Sequence, residues 1–257
     1  MGFFTKKRNK KIVGYTAKLL MKMAEKGIRP RCSAIIVAAG SASRMQGIDK
    51  IFTDFHGSTV LERAAEPFAA SKLVDEIVVV TRRDDVPRVE LLLRGKTNGK
   101  PLKVVSGGDT RTDSVLAGLS VCDEKAKIVA VHDGARPFVT QKIVEETIKS
   151  AAERSAAAPA VPVKDTIKIA KNCVIQNTPD RSTLFAVQTP QTFAVELLRA
   201  GIAHARANDL ALTDDCSAVE SIGVPVILTE GSYENIKLTT PEDLWFAQAL
   251  LKRRQEV

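Results

Sequence analysis

The chain has 257 residues, 44% hydrophobic and only 5% aromatic, enough apolar material for one sizeable core and not the composition of a disordered polymer. Its net charge of +8 is uneven: residues 1–31 hold ten Lys or Arg against one acid, which leaves residues 32–257 at −1 and argues against a nucleic-acid-binding core. Four dispersed cysteines (Cys32, Cys122, Cys173 and Cys216) make no C-x-x-C pair, so they read as reduced, mostly buried thiols of a cytoplasmic protein rather than a disulfide scaffold.

Residues 1–31 form a basic extension ahead of a domain over 32–257. Within the extension, residues 12–28 have a helical pattern. Ile12, Leu19, Leu20 and Met23 fall near one face, with Lys18, Lys22 and Lys26 on another. A solvated tail, a helix in weak contact with a membrane surface or an acidic partner, and a start placed upstream of Met21 or Met23 remain open readings. No apolar run reaches the roughly 18 residues a membrane span needs. No signal peptide is evident.

From residue 33 a regular rhythm begins. Short Val- and Ile-rich runs at Ala34–Ala39, Ile77–Val80, Leu102–Val105, Ile128–Val131, Ala156–Val161 and Val224–Leu228 read as buried strands. Helix-like segments lie near 59–71, 84–94, 111–121 and 140–153. The fold class is therefore α/β, with a Rossmann-like, mostly parallel sheet. Ligands of such sheets gather beyond the carboxyl ends of the strands. Residues 162–183 break the rhythm. Their period-2 alternation and a turn at Asn172 predict a protruding β-arm, marginal alone and in need of something to pack on. Helices resume near 193–207 and 241–253.

Three segments after strands carry the candidate chemistry. Gly40-Ser-Ala-Ser-Arg44, with Lys50 beyond it, is either a phosphate-binding loop or a plain strand-to-helix turn. Small residues allow close approach to a ligand, Arg44 can fork onto phosphate oxygens, and Lys50 is a mobile point charge. In Gly107-Gly108-Asp109-Thr-Arg111-Thr-Asp113-Ser114, the double glycine permits positive φ and close approach to a flat ring. Asp109 and Ser114 either cap the following helix or bond to a base or sugar. In His132-Asp133-Gly-Ala-Arg136-Pro137, Asp133 suits Mg2+ or ribose hydroxyls, and Arg136 a phosphate or Asp133 itself. His132 reads as a satisfied core histidine. His56 and His204 have no partner pattern, so hydrolase and zinc readings are weak.

Ordered motifs across roughly 33–250 carry a resemblance. They are Ala38-Ala-Gly-Ser-Ala-Ser-Arg-Met45, Gly107–Ser114, His132–Pro137, Lys164-Asp-Thr166, Asp180-Arg181, Gln188-Thr-Pro-Gln191, Thr213-Asp-Asp215 and Asn235-Ile-Lys-Leu-Thr239. The chain resembles the 2-C-methyl-D-erythritol 4-phosphate cytidylyltransferases of non-mevalonate isoprenoid synthesis. The resemblance implies CTP and a polyol phosphate as substrates, Mg2+ as cofactor, and a homodimer interlocked through the β-arm. It implies that Arg44 and Lys50 stabilise the transition state and that Ala38, Ala39, Gly40, Gly108, Asp109 and Ser114 line the CTP site. Asp133 and Arg136 would sit between nucleotide and sugar phosphate, with Mg2+ held mainly by CTP. Thr166 and Arg181 would reach the acceptor across the dimer interface. Lys237 would position the acceptor phosphate, with Thr189 and Thr213 nearby.

Two positions depart from the family pattern. Ala42 stands where a second glycine is usual and resists positive φ. Asp49 replaces proline and sets an anion beside Lys50. The alternatives are the same chemistry on another polyol phosphate, such as ribitol 5-phosphate, and a nucleotide-binding regulatory protein with weak catalysis.

Overall fold

The computed structural model describes residues 2–40 and 49–255. In chain order its elements are α1 (Gly2–Glu25), β1 (Cys32–Val37), β2 (Asp54–Phe55), β3 (Ser58–Thr59), α2 (Val60–Ala70), β4 (Glu76–Thr81), α3 (Val86–Leu93), β5 (Leu102–Ser106) and α4 (Arg111–Val121). There follow β6 (Ile128–Asp133), α5 (Gln141–Arg154), β7 (Ala156–Pro162), β8 (Ile169–Lys171), β9 (Val174–Asn177), β10 (Phe185–Val187), β11 (Gln191–Ala194), α6 (Val195–Ala207), α7 (Asp215–Glu220), β12 (Ile227–Glu230) and α8 (Pro241–Gln255).

One eight-stranded sheet organises the chain. Its path runs β5-β4-β1-β6-β11-β7, and β10 and β12 also pair with β7. The β5-β4-β1-β6 half is parallel, whereas β11 runs antiparallel to both β6 and β7. Register aligns Val37 with Val80 on one side and with Asp133 on the other. The carboxyl ends of β1, β4 and β6 therefore form one ledge. Residues of β1, β4 and β6 such as Ile35, Ile36, Val78, Val79, Val129 and Val131 are fully buried, as strands covered on both faces should be. Sequence and structure agree on this half to within a few residues. The last strand lies later than expected, at Ile227–Glu230.

The β-arm is present. β8 and β9 pair antiparallel across Asn172 and Cys173, both at positive φ, and every residue of the two strands is exposed. Cys173 is accordingly exposed, unlike buried Cys32 and Cys216, and all four cysteines are free.

The N-terminal segment is a docked helix rather than a solvated tail. Leu20 is buried in the main core, Ile12 and Val13 pack against that core, and Thr16 is buried. Lys11, Tyr15, Lys18 and Lys22 face solvent. Two of the segment's basic residues fasten the connection to the sheet. Arg29 clasps Asp75 through two hydrogen bonds, of 2.9 and 2.6 Å, and Arg31 pairs with Asp123 at 2.8 Å. Ile12 and Leu20 of the apolar stripe are thus committed to the domain. No helix among the described residues is long and apolar enough to cross a membrane.

Candidate active site

A cleft of about 650 Å³ opens on the ledge. Its floor is Val37-Ala38-Ala39-Gly40, its walls are Gly108–Arg111 with Ser114 and Asp133 with Ala135, and Lys50, Lys237 and Thr239 also line it. Ala38, Ala39, Gly40, Lys50, Gly108, Asp109, Ser114, Asp133 and Lys237 are thus brought together as the sequence predicted. Arg44 and Ala42 fall outside the described residues. A larger cleft, about 750 Å³, lies between α1 and the domain. It lies at the amino end of β6, where Ala126 and Lys127 lead into that strand, and carries charges of both signs without a glycine loop. Carboxyl-end chemistry belongs to the first cleft.

The glycine wall is explained by space. Neither Gly107 nor Gly108 has positive φ, contrary to the expectation for a double glycine. A Cβ on Gly107 would lie 2.5 Å from Ser114 Oγ and 2.6 Å from Ala39 Cβ, and one on Gly108 would lie 2.5 Å from Asp113 Cβ. Helix α4 is capped by Thr110 and Asp113, which form a reciprocal capping box. Capping is therefore done by the neighbours of Asp109 and Ser114. Asp109 is exposed, and the Ser114 hydroxyl donates to the Thr110 carbonyl at 3.1 Å.

Asp133 ends β6 at the centre of a cation cluster. Its Oδ1 lies 3.3 Å from Arg111 Nε; its Oδ2 lies 2.9 Å from Lys237 Nζ and 3.6 Å from Arg136 Nε. Burial alone would push this carboxyl up, but Arg111, Lys237 and Arg136 outweigh burial and hold it well below the usual carboxylate range. Arg111 also pairs with buried Asp215 at 2.8 Å. With both oxygens of Asp133 committed to cations, its expected role as a Mg2+ ligand fits poorly. Among the described residues no cluster of three His, Cys, Asp or Glu side chains could hold a metal.

The segment 235–239 is stitched across this ledge. Arg136 donates to the Asn235 carbonyl at 2.7 Å, Leu238 N–H to the Ala135 carbonyl at 2.9 Å, and Lys50 Nζ to the Leu238 carbonyl at 3.0 Å. Buried Asn235 donates to the Thr189 carbonyl at 3.0 Å. This brings Lys50 and Lys237, far apart in sequence, to one cleft. Asp49 does not confront Lys50 unpaired: it forms an ion pair with Arg82, which also holds Asp85.

His132 is fully buried, and burial pushes its imidazole down to about 4. Its Nδ1 lies 2.9 Å from Thr189 Oγ1 and its Nε2 3.2 Å from the Arg136 carbonyl. Both nitrogens are occupied, as for a core histidine and not a general base. Thr189 is itself buried, its hydroxyl turned to His132 and the Asp133 N–H. Thr213 is exposed, where its N–H donates to Ser217 Oγ at 3.2 Å. Thr166 and Arg181 sit on the exposed arm, and Arg181 donates to the Lys164 carbonyl at 3.0 Å. Thr166, Arg181, Thr189, Thr213 and Arg136 do not line the cleft within this single chain.

A small-residue ledge, a glycine wall and two lysines suit a nucleotide and a second anion, and comparison with known proteins agrees. Residues 32–253 match the family model described as 2-C-methyl-D-erythritol 4-phosphate cytidylyltransferase. The chain belongs to this family. It is 44% identical over 224 residues to a protein of that name from Caldanaerobacter subterraneus subsp. tengcongensis, covering 86% of this chain and 99% of the relative. A second, from Clostridioides difficile, is 42% identical over 228 residues, covering 88% and 96%. Among solved structures, the 4-diphosphocytidyl-2C-methyl-D-erythritol synthase of Anaerococcus prevotii superposes with a TM-score of 0.79 at 34% identity, covering 87% of this chain and 96% of that one. The family match begins at β1, so α1 lies outside it. The fold is the Rossmann-like nucleotidyltransferase fold of this family, and the protein is a nucleotidyltransferase.

Proposed function

We propose that the cleft transfers the cytidylyl group of CTP to 2-C-methyl-D-erythritol 4-phosphate, giving 4-CDP-2-C-methyl-D-erythritol and pyrophosphate. The observation that carries this reading is that Lys50, held on the Leu238 carbonyl, and Lys237, held on Asp133, line the same cleft. Two cations thus stand beside a floor that suits a nucleotide.

The acceptor is a phosphate monoester, largely a dianion at neutral pH. One of its oxygens attacks the α-phosphorus, the bond from that phosphorus to the oxygen bridging to the β-phosphorus breaks, and pyrophosphate leaves. No proton has to be removed from the nucleophile. A site whose only nearby histidine is buried, neutral and fully bonded suits that demand. The remaining obstacle is repulsion between two anions. Cations aimed at the developing charge are worth on the order of 3–4 kcal/mol each in comparable sites. We assign that role to Lys50 and Arg44. Lys237, anchored on Asp133, holds the acceptor phosphate. Ala38–Gly40, Gly108, Asp109 and Ser114 hold the nucleotide. A divalent cation, where bound, neutralises triphosphate charge; with no protein cage for it among the described residues, we place it on CTP.

Thr166 and Arg181 lie on the exposed arm, and we assign them to the cleft of a second copy in a homodimer. Ile169, Val174 and Ile175 on the arm, with Phe185 and Val187 beside it, are exposed apolar side chains, which supports burial against another subunit.

Pyrophosphate release tests the reading. It should require CTP, Mg2+ and methylerythritol phosphate together, and ribitol 5-phosphate should not substitute. Release without the acceptor, or equal turnover of ribitol 5-phosphate, would refute it.

A further inference from the structure

Asp215, Arg111, Asp133 and Lys237 form an alternating chain of charges. Asp215 Oδ2 meets Arg111 Nη2 at 2.8 Å, Arg111 Nε meets Asp133 Oδ1 at 3.3 Å, and Asp133 Oδ2 meets Lys237 Nζ at 2.9 Å. The chain begins in the interior and ends at the cleft: Asp215 is 3% exposed, whereas the Lys237 side chain is 39% exposed. We propose that Arg111 and Asp215 are positioning residues, which hold Lys237 over the acceptor through Asp133.

The geometry demands arginine at position 111. Its guanidinium uses different nitrogens for the two carboxylates, a fork that a lysine ammonium cannot reproduce. Asp215 is fixed independently of Arg111, because its N–H and that of Cys216 donate to Gln191 Oε1 at 2.9 and 3.1 Å. Gln191 in turn donates to Asp214 at 2.7 Å and belongs to β11, next to β6. The inner carboxylate is thus an anchor built on the sheet. Arg111 transmits its position to Oδ1 of Asp133, which leaves Oδ2 directed at Lys237 and Arg136. Burial pushes the Asp215 carboxyl up, and Arg111 offsets that only in part; burial also works against the charge of Arg111, where Asp215 and Asp133 together outweigh it. Arg111 alone removed would strand a buried carboxylate.

The test follows from that last point. Arg111→Met combined with Asp215→Asn removes the inner pair as a neutral unit, leaving Asp133, Lys237 and Arg136. The inference rests on the acceptor role of Lys237, so two readouts are needed. With substrates, the double variant should show an acceptor KM raised about tenfold, with the CTP KM changed less than threefold, in line with coupled networks. Arg111→Lys, which keeps the charge without the fork, should fall between the double variant and wild type. Without substrates, 13C NMR titration of the aspartate carboxyl carbons should show Asp133 titrating at higher pH in the double variant. An acceptor KM equal to wild type in folded Arg111→Lys and in the double variant would overturn the proposal. So would a defect confined to CTP, which would mean that Arg111 grips the triphosphate directly. A shifted Asp133 titration with no acceptor effect would retain the charge chain and refute the role given to Lys237. If the double variant does not fold, Arg111→Lys decides alone by the same acceptor-to-CTP contrast.

Discussion

Thr189 Oγ1 stands 2.9 Å from His132 Nδ1 while accepting the Asp133 N–H at 3.1 Å. The direction of every proton follows. The Arg136 carbonyl, 3.2 Å from Nε2, can only accept, so Nε2 carries the imidazole proton; in the neutral ring Nδ1 is then bare, and the Thr189 hydroxyl donates to it. This neutral ring braces the turn from Asp133 to Arg136. Thr189→Val keeps the shape and removes the hydroxyl, which leaves a buried N–H and a buried imidazole nitrogen unpartnered. Urea denaturation should show a loss of about 1–3 kcal/mol. Activity should fall as well, because Asp133 and Arg136 share the turn. Wild-type stability in Thr189→Val would refute the brace.

The same ring makes stability depend on pH. Burial lowers the folded-state His132 to about 4, against roughly 6.5 in the unfolded chain. Between these values the unfolded state binds more protons, so stability rises with pH. The contribution is fully present above about 6.5 and is lost as pH falls toward 4, up to about 3 kcal/mol in all. His132→Gln does not titrate, so its unfolding free energy should have a shallower slope across that window. Comparing the two slopes cancels the other groups, raised Asp215 among them. Identical slopes would show that His132 is not held neutral.

The parallel half of the sheet was legible because buried strands such as Ile77–Val80 and Ile128–Val131 write themselves as uninterrupted β-branched runs. The arm was legible from its alternation and from Asn172. What sequence could not reveal were partners supplied at long range. Asp49 looked like an anion opposing Lys50, yet Arg82, 33 positions away, neutralises it. Arg111 and Asp215 stood within quoted motifs, but their pairing spans 104 positions and only the fold creates it. Strands β10 and β11 were missed because they flank the short stretch Gln188–Pro190 and read as part of a loop. The docking of the first helix was not legible because the partners of its apolar face, and of Arg29 and Arg31 in Asp75 and Asp123, are supplied at long range.

Lys50 and Lys237 have separable duties. Lys50→Ala should reduce kcat by about 10²–10³ while CTP still binds, since it removes a cation that acts on the developing charge. It also releases the Leu238 carbonyl, so a small rise in acceptor KM should accompany it. Lys237→Ala should mainly raise the acceptor KM. Steady-state kinetics with CTP and acceptor varied in turn distinguish them. Wild-type turnover in Lys50→Ala would exclude the role given to it.

Gly108→Ala tests the wall beside the nucleotide. The added Cβ would lie 2.5 Å from Asp113 Cβ, against a side chain pinned by the capping box. Backbone or cap must yield, at about 1–3 kcal/mol for an overpacked site. Because the loop itself lines the cleft, part of that cost should appear as weaker CTP binding by calorimetry. Unchanged CTP affinity and melting temperature would mean that the wall can move freely.

The arm tests the assembly. Ile169 and Ile175 are 52% and 60% exposed on strands that are marginal alone. If a second subunit covers them, Ile169→Asp with Ile175→Asp buries charge at the interface and should give a monomer in sedimentation velocity. The isolated subunit should stay folded, because no core contact is touched. Its turnover should collapse nonetheless, since Thr166 and Arg181 would no longer reach a neighbouring cleft. Mixing this variant with Lys50→Ala chains then separates structure from chemistry. Recovery of activity on mixing would require a dimer that tolerates one altered arm, and would show that an intact arm from one chain serves the intact cleft of the other. A fully active monomer would remove both the dimer and the assignment of Arg181.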